Sequence, residues 1–98
     1  ADIRRYADCP VMVDNCYGEF VETVEPCAVG ADLVAGSLIK NIGGGLAPTG
    51  GYVAGKAAYV DQAAYRLIAP GIGTEVGSYA AGYRLFYQGL FLALRRRR

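Results

Sequence analysis

The 98-residue chain has no histidine, and its three cysteines, Cys9, Cys16 and Cys27, are odd in number and include no C-x-x-C pair. A zinc site or a disulfide framework is therefore not expected, and a reduced cytoplasm suits the composition. Long apolar runs are scarce as well: Leu85 to Leu94, the longest strongly apolar stretch near the end, contains Gln88 and is half of the roughly 20 residues that a membrane span takes. Asp2, Arg4, Arg5 and Asp8 interrupt the first ten residues, so no secretory leader is expected there. Excess charge is small. The formal net charge is +1, yet Arg95 to Arg98 supply four of the ten cations, and the remaining six face nine acids. So mildly acidic a body gives no reason to expect nucleic acid, and no membrane partner is expected either; residues 95–98 read as a solvated basic tail.

What the chain does have is 53% apolar residues and 14 glycines, enough for one globular unit at most. The run VMVDN, residues 11–15, is β-prone and closes on turn formers, which puts Asp14 at the end of a strand. ADLVAGSLIK, residues 31–40, is apolar at nearly every position, as in a strand covered on both faces of a parallel sheet, and it ends on Lys40. GGGLAPTGG must be a loop. GYVAG, residues 51–55, reads as a strand able to pair back antiparallel. Ala57, Val60, Ala64, Leu67 and Ile68 share one face of a helix over 56–69 that Pro70-Gly71 ends, and a second helix is predicted from about Tyr79 to Leu94.

Two strand ends then carry an acid and an amine. If the strands are parallel neighbours, Asp14 and Lys40 open on one crevice, where open α/β sheets hold ligands. A lysine at the end of a buried strand loses hydration, which disfavours its ammonium form and frees an amine nucleophile. Pyridoxal phosphate needs an amine for its aldehyde, a carboxylate for its ring nitrogen and donors for its phosphate; Lys40, Asp14 and Ser37 with nearby glycine N–H groups supply that set. A lone lysine at a strand end more often only snorkels to solvent.

On the segments VDNCYGEF, GADLVAGSLIKNIGGGLAPTGGYVAG and YRLIAPGIGTEVG the sequence resembles the methionine gamma-lyase-like family, also called aluminium resistance proteins, within the fold-type I pyridoxal-phosphate enzymes. The resemblance runs from about Tyr6 to Ala93. It implies an α/β fold, a fragment of the large domain over residues 1–94, with parallel strands followed by an antiparallel strand and helices. It implies that Lys40 is the catalytic Schiff-base lysine, that Asp14 pairs with the pyridinium nitrogen, and that Ser37 binds cofactor phosphate. Tyr17, three residues after Asp14, matches a tyrosine that aminotransferase-like members place on the cofactor's phenolic oxygen, a feature the cystathionine-lyase branch does not keep. Where the aminotransferase branch has a phosphate-binding arginine, this chain has Pro48. The implied reaction is carbon–sulfur elimination on an amino acid such as methionine or a cystathionine-like substrate, in a homo-oligomeric full-length enzyme. The glycine-rich phosphate turn, the ring-stacking residue and the C-terminal domain of that family have no counterpart in these residues, so the fragment is expected to be inactive alone. The alternative is a non-catalytic partial domain that binds no cofactor.

Other patterns carry less. GGYVAGK has the spacing of a phosphate-binding loop, but Ala57 stands where the magnesium-binding hydroxyl belongs and Tyr52-Val53-Ala54 reads as strand. Glu19, Glu22 and Glu25 recur every three residues and read as a solvated face. The tyrosines from Tyr52 to Tyr87 are expected to pack with their hydroxyls at the rim. PGIGTEVG, residues 70–77, is a glycine-rich loop placed by the resemblance near the cofactor or a partner subunit.

Overall fold

A computed structural model describes residues 2–67 and 82–95. A sheet in the order β1-β2-β3 organises them. β1 spans Met12–Asp14, β2 Leu33–Ser37 and β3 Gly51–Gly55. β1 and β2 are parallel, with Met12 opposite Leu33 and Asp14 opposite Ala35. β2 and β3 are antiparallel, with Leu33 opposite Gly55 and Ser37 opposite Gly51. The parallel pair followed by an antiparallel strand is the arrangement that the sequence predicts. Parallel neighbours need a long connection; here residues 15–32 provide it as turns and one 3-10 helix, Pro26–Val29. Gly30, in the left-handed region at φ 108°, turns the chain toward β2.

Two expectations about β2 need correction. The strand stops at Ser37, and Lys40 lies beyond a turn, immediately before a 3-10 helix over Asn41–Gly43. That helix takes in the first glycine of GGGLAPTGG, the remainder of which is turn and loop up to Gly51. Nor is β2 sealed on both faces: Val34 is buried, while its neighbours along the strand are half-buried. Among the described residues only Val34 and Ala93 are buried apolar side chains, and neither is completely sealed from solvent; the molecule measures 42 × 40 × 15 Å. A slab this thin holds one sheet and one layer of helix, so each layer keeps an open side.

The first helix, α1, spans Ala57–Leu67; Ile68 and Ala69 lie outside the described residues. Of the predicted face, Val60 and Ala64 lie inward with Tyr59 and Ala63, whereas Ala57 and Leu67 are exposed, so the helix is turned part-way from the face predicted. The second helix, α2, spans Arg84–Arg95. It starts later than predicted because Gly82 sits at φ 85°, which a helix does not admit; residues 79–81 lie outside the described set. Arg95, predicted as tail, closes α2 with its guanidinium 5.7 Å from the Phe91 ring centroid. Residues 96–98 and the 70–77 loop also lie outside the described residues.

α2 docks on the turn that follows Lys40. Gly43 and Gly89 are both buried, and a Cβ on Gly89 would overlap the carbonyl oxygen of Gly43. Gly44, at φ 58°, faces Gly89 in the same way. The glycines therefore let two backbones meet directly, and a helix braces the Asn41–Gly43 turn.

Candidate active site

The parallel register brings the ends of β1 and β2 to one edge of the sheet. Asn15 N–H donates to the Ala35 carbonyl at 2.8 Å, which extends the pairing one residue past Asp14. Asp14 then turns on itself: its Oδ1 accepts the Cys16 N–H at 3.2 Å, an Asx turn of the kind aspartate forms locally. Ser37, half-buried at the end of β2, does the same through Oγ, which accepts the Ile39 N–H at 3.4 Å. The two turns aim the segments after β1 and β2 at each other. Lys40 Nζ lies 4.7 Å from the centroid of the Tyr17 ring, a cation–π contact.

Asp14, Cys16, Tyr17 and Lys40 thus form one cluster, with Ser37 on the strand end beneath Lys40. Hydrogen bonding from the Cys16 side chain, then from its backbone N–H, holds the Asp14 carboxyl below the usual 3.8, and the Lys40 charge adds to the effect against some desolvation. Lys40 is displaced in the sense opposite to that predicted. A hydrogen bond with the Cys16 side chain raises it above 10.5, with support from the charges of Cys16, Tyr17 and Asp14, and the desolvation expected to dominate only opposes this. The physical reason is position: Lys40 is half-buried in a turn beside acceptors and is not sealed at the end of a strand.

Sequence reasoning missed the frame around this cluster. Glu19, expected on a solvated face, is 3% exposed. Its Oε1 accepts the Tyr52 hydroxyl at 2.8 Å, and its Oε2 is buried with no hydrogen-bond partner. Gly36 makes room, since a Cβ there would meet Glu19 Oε1 and the Tyr52 ring at 2.5 Å. The Tyr52 hydroxyl accordingly points inward and not to the rim; burial, then its hydrogen bond to Glu19 and the Glu19 charge, raise its pKa and keep it a donor. Asn41 donates through Nδ2 to the carbonyls of Tyr17 at 2.9 Å and Glu19 at 3.2 Å. Glu25 accepts from Asn15 Nδ2 at 3.1 Å and from Phe20 N–H at 3.0 Å. Phe20 has φ 62°, a left-handed backbone costing roughly 1 kcal/mol or more that these anchors sustain. The period-three glutamates gave no such signal, because a charge pattern does not tell which member meets a glycine on the next strand.

At the opposite ends of the strands lies a second ionic cluster. Asp32, 4% exposed, accepts the Val11 N–H at 2.8 Å and pairs with Lys56 at 2.6 Å and with Arg4. The lysine of GGYVAGK is therefore an ion-pair partner, and Tyr52 to Ala54 are strand. An open groove of about 1000 Å³ is lined there by Met12 and Leu33 from the strand starts and Tyr59, Ala63 and Arg66 from α1. It lies away from the Lys40 edge and contains none of the cluster residues.

Comparison with known proteins gives this edge its context. YnbB of Bacillus subtilis (strain 168) is 63% identical over 83 residues, 85% of this chain and 20% of the relative. The structure of a carbon-sulfur lyase involved in aluminum resistance from Clostridium novyi NT is 62% identical and superposes with a TM-score of 0.82, over 88% of this chain and 21% of that one. A protein of Clostridium acetobutylicum, named provisionally as a cystathionine beta-lyase involved in aluminum resistance, is 60% identical with a TM-score of 0.86 over 95% of this chain and 22% of that one. The chain thus spans about a fifth of the length of these relatives. Residues 3–96 match the methionine gamma-lyase family model, nearly the whole sequence from which the Asp14–Lys40 edge is built, and the chain belongs to that family.

Proposed function

We propose that this chain supplies the amine- and carboxylate-bearing edge of a pyridoxal-phosphate-dependent carbon–sulfur lyase, as part of a fold-type I large domain over residues 1–94. The observation that carries the reading is the Lys40 amine lying 4.7 Å from the Tyr17 ring, in the loop that follows Asp14 at the end of the parallel strand pair. The donor set fits the cofactor. Asp14 is held ionised and exposed, as a carboxylate must be to keep a ring nitrogen protonated, while Lys40 offers an amine and Ser37 a hydroxyl at the adjoining strand end. Tyr17 lies against the same amine.

When bound, the cofactor supplies an electron-accepting ring that eases removal of the proton at a substrate's α-carbon. The residues do the rest. Asp14 would keep the ring nitrogen protonated, and Lys40 would hold the group through its amine and move the proton at the substrate's α-carbon. Lys40 is protonated at neutral pH like any lysine, and its hydrogen bond with Cys16 and the Asp14 charge favour that state further, so the amine must lose a proton before it bonds to carbon. A cationic partner on Asp14 offsets one of the charges that keep that proton in place. The substrate is an amino acid bearing sulfur in its side chain, and the full-length enzyme is a cytoplasmic homo-oligomer.

The test is direct. The purified chain is mixed with pyridoxal phosphate, reduced with borohydride and mapped by peptide mass spectrometry. The expected result is one modified residue, Lys40. A chain that takes up no label, or that is labelled equally at Lys56, refutes the assignment and leaves a partial domain without cofactor chemistry.

A further inference from the structure

Lys40 is followed by a residue that ties two distant segments together. The planar amide nitrogen of Asn41 carries two hydrogens, and they reach two carbonyl oxygens, those of Tyr17 and Glu19, across 24 and 22 positions of sequence. The turn that bears Asn41 is itself braced by α2 through the Gly43–Gly89 contact. The loop that bears Tyr17 is anchored on its far side by Glu25, which holds Asn15 and the strained Phe20, and by the Glu19 carboxylate on Tyr52. Tyr17 itself is 71% exposed, so packing does not fix its ring. Its backbone carbonyl is held by Asn41.

We infer that Asn41 is a positioning residue: its two hydrogen bonds clamp the loop after β1 onto the Lys40 turn and so set the Tyr17 ring and Cys16 against the Lys40 amine. The inference deepens the reading of Lys40 as the reactive amine and rests on it. An asparagine suits the task because a single short side chain must present two donors to two oxygens. Aspartate would turn an oxygen toward the same carbonyls and repel them. The clamp acts on Lys40 indirectly, through Asp14, Cys16 and Tyr17, the titratable groups that face the amine, all from the end of β1 and its loop.

The test is NMR on the cofactor-free chain. In the parent protein the Tyr17 ring displaces the Lys40 Hε resonances upfield, and Nζ titrates above 10.5. In Asn41→Ala the ring-current displacement is lost and the titration falls toward the ordinary lysine value, while cross-strand contacts between Ala35 and Val53 persist. Lys56 serves as the internal control. Tyr17→Leu removes the ring but keeps the carbonyl anchors, so it abolishes the displacement while the Asn41 side-chain amide signals stay in place. If Asn41→Ala unfolds the chain, Asn41→Ser, with one donor at shorter reach, is measured instead and should show a reduced displacement. Lys40 resonances and titration matching the parent in whichever variant keeps its sheet overturn the inference. Borohydride labelling of the parent separates this outcome from failure of the functional reading: a labelled Lys40 that is indifferent to Asn41 sinks only the clamp, and an unlabelled Lys40 that responds to Asn41 sinks only the cofactor assignment.

Discussion

The two ends of β2 carry charge clusters of similar composition and opposite character. At the entry, Asp32 is buried and its oxygens are engaged by Arg4, Lys56 and the Val11 N–H. At the exit, Asp14 is exposed and accepts the Cys16 N–H two residues on, Lys40 rests on an aromatic face, and Glu19 Oε2 has no hydrogen-bond partner among the described residues. Each end has a lysine and an aspartate, so composition does not distinguish them. Saturation does. A carboxylate whose acceptors are all occupied holds a fold together, whereas one left open beside an amine is free to take a ligand.

The contrast breaks most decisively at the lysines. Lys40→Met should abolish borohydride-trapped pyridoxal phosphate altogether, and Lys56→Met should leave labelling at Lys40 at the parent level. Label that survives Lys40→Met would mean that the exit end is no more reactive than the entry. Next in size is Tyr52→Phe. It leaves both Glu19 oxygens buried without a donor and should lower stability by about 1–3 kcal/mol, read as a denaturant midpoint. An unchanged midpoint would mean that water replaces the Tyr52 hydroxyl on Glu19 at no expense. Gly89→Ala follows. Overlap with the Gly43 carbonyl should destabilise by about 1–3 kcal/mol, partly offset by the helix propensity of alanine, worth about 1 kcal/mol. The Asn41 amide signals should shift as the brace loosens; if they stay fixed, α2 does not support the turn.

The legible part of this molecule was its strands. VMVDN and GYVAG declare themselves through β-prone residues closed by turn formers, while the parallel-then-antiparallel order is what the family resemblance implies. Asp14 is legible for the same reason, as the end of β1, whereas Lys40 lies three residues past the end of β2, beyond a turn. The role of Cys16 and the clamp of Asn41 are not legible, because each depends on how a turn folds back, and hydrogen bonds across more than 20 positions leave no periodic trace. The direction of the Lys40 shift is not legible because the apolar run to residue 40 gives no sign that local bonding at Ser37 already turns the chain. The inward face of α1 is legible only at Val60 and Ala64, because alanines fit either side of a helix. Family likeness and patterning point to the same two residues, Asp14 and Lys40, and the likeness alone adds roles to them.

Titration should separate the two ends with the smallest effect of the set. Lys56, then the Val11 N–H, lower Asp32 to about 2 from an ordinary 3.8, with the charges of Arg4 and Lys56 adding to this against desolvation. A carboxyl depressed in the folded state binds fewer protons than its unfolded counterpart, so its contribution is complete above about pH 4 and is lost as pH falls through about 2. Lys40, raised in the folded state, contributes fully below 10.5 and loses that contribution only as pH climbs through its folded value. Acid should therefore release the entry end of β2 and leave the Lys40 contribution intact, although Asp14, lowered in its turn, gives the exit end a lesser acid response. The effect is modest because the side chains of Arg4 and Lys56 are 41% and 63% exposed and water screens them. Amide exchange at Val11, whose N–H Asp32 holds, should accelerate relative to Val34 between pH 4 and 2 in the parent, and Asp32→Asn should flatten that dependence. Equal slopes in the two proteins would show that the buried carboxylate does not govern how the strands begin.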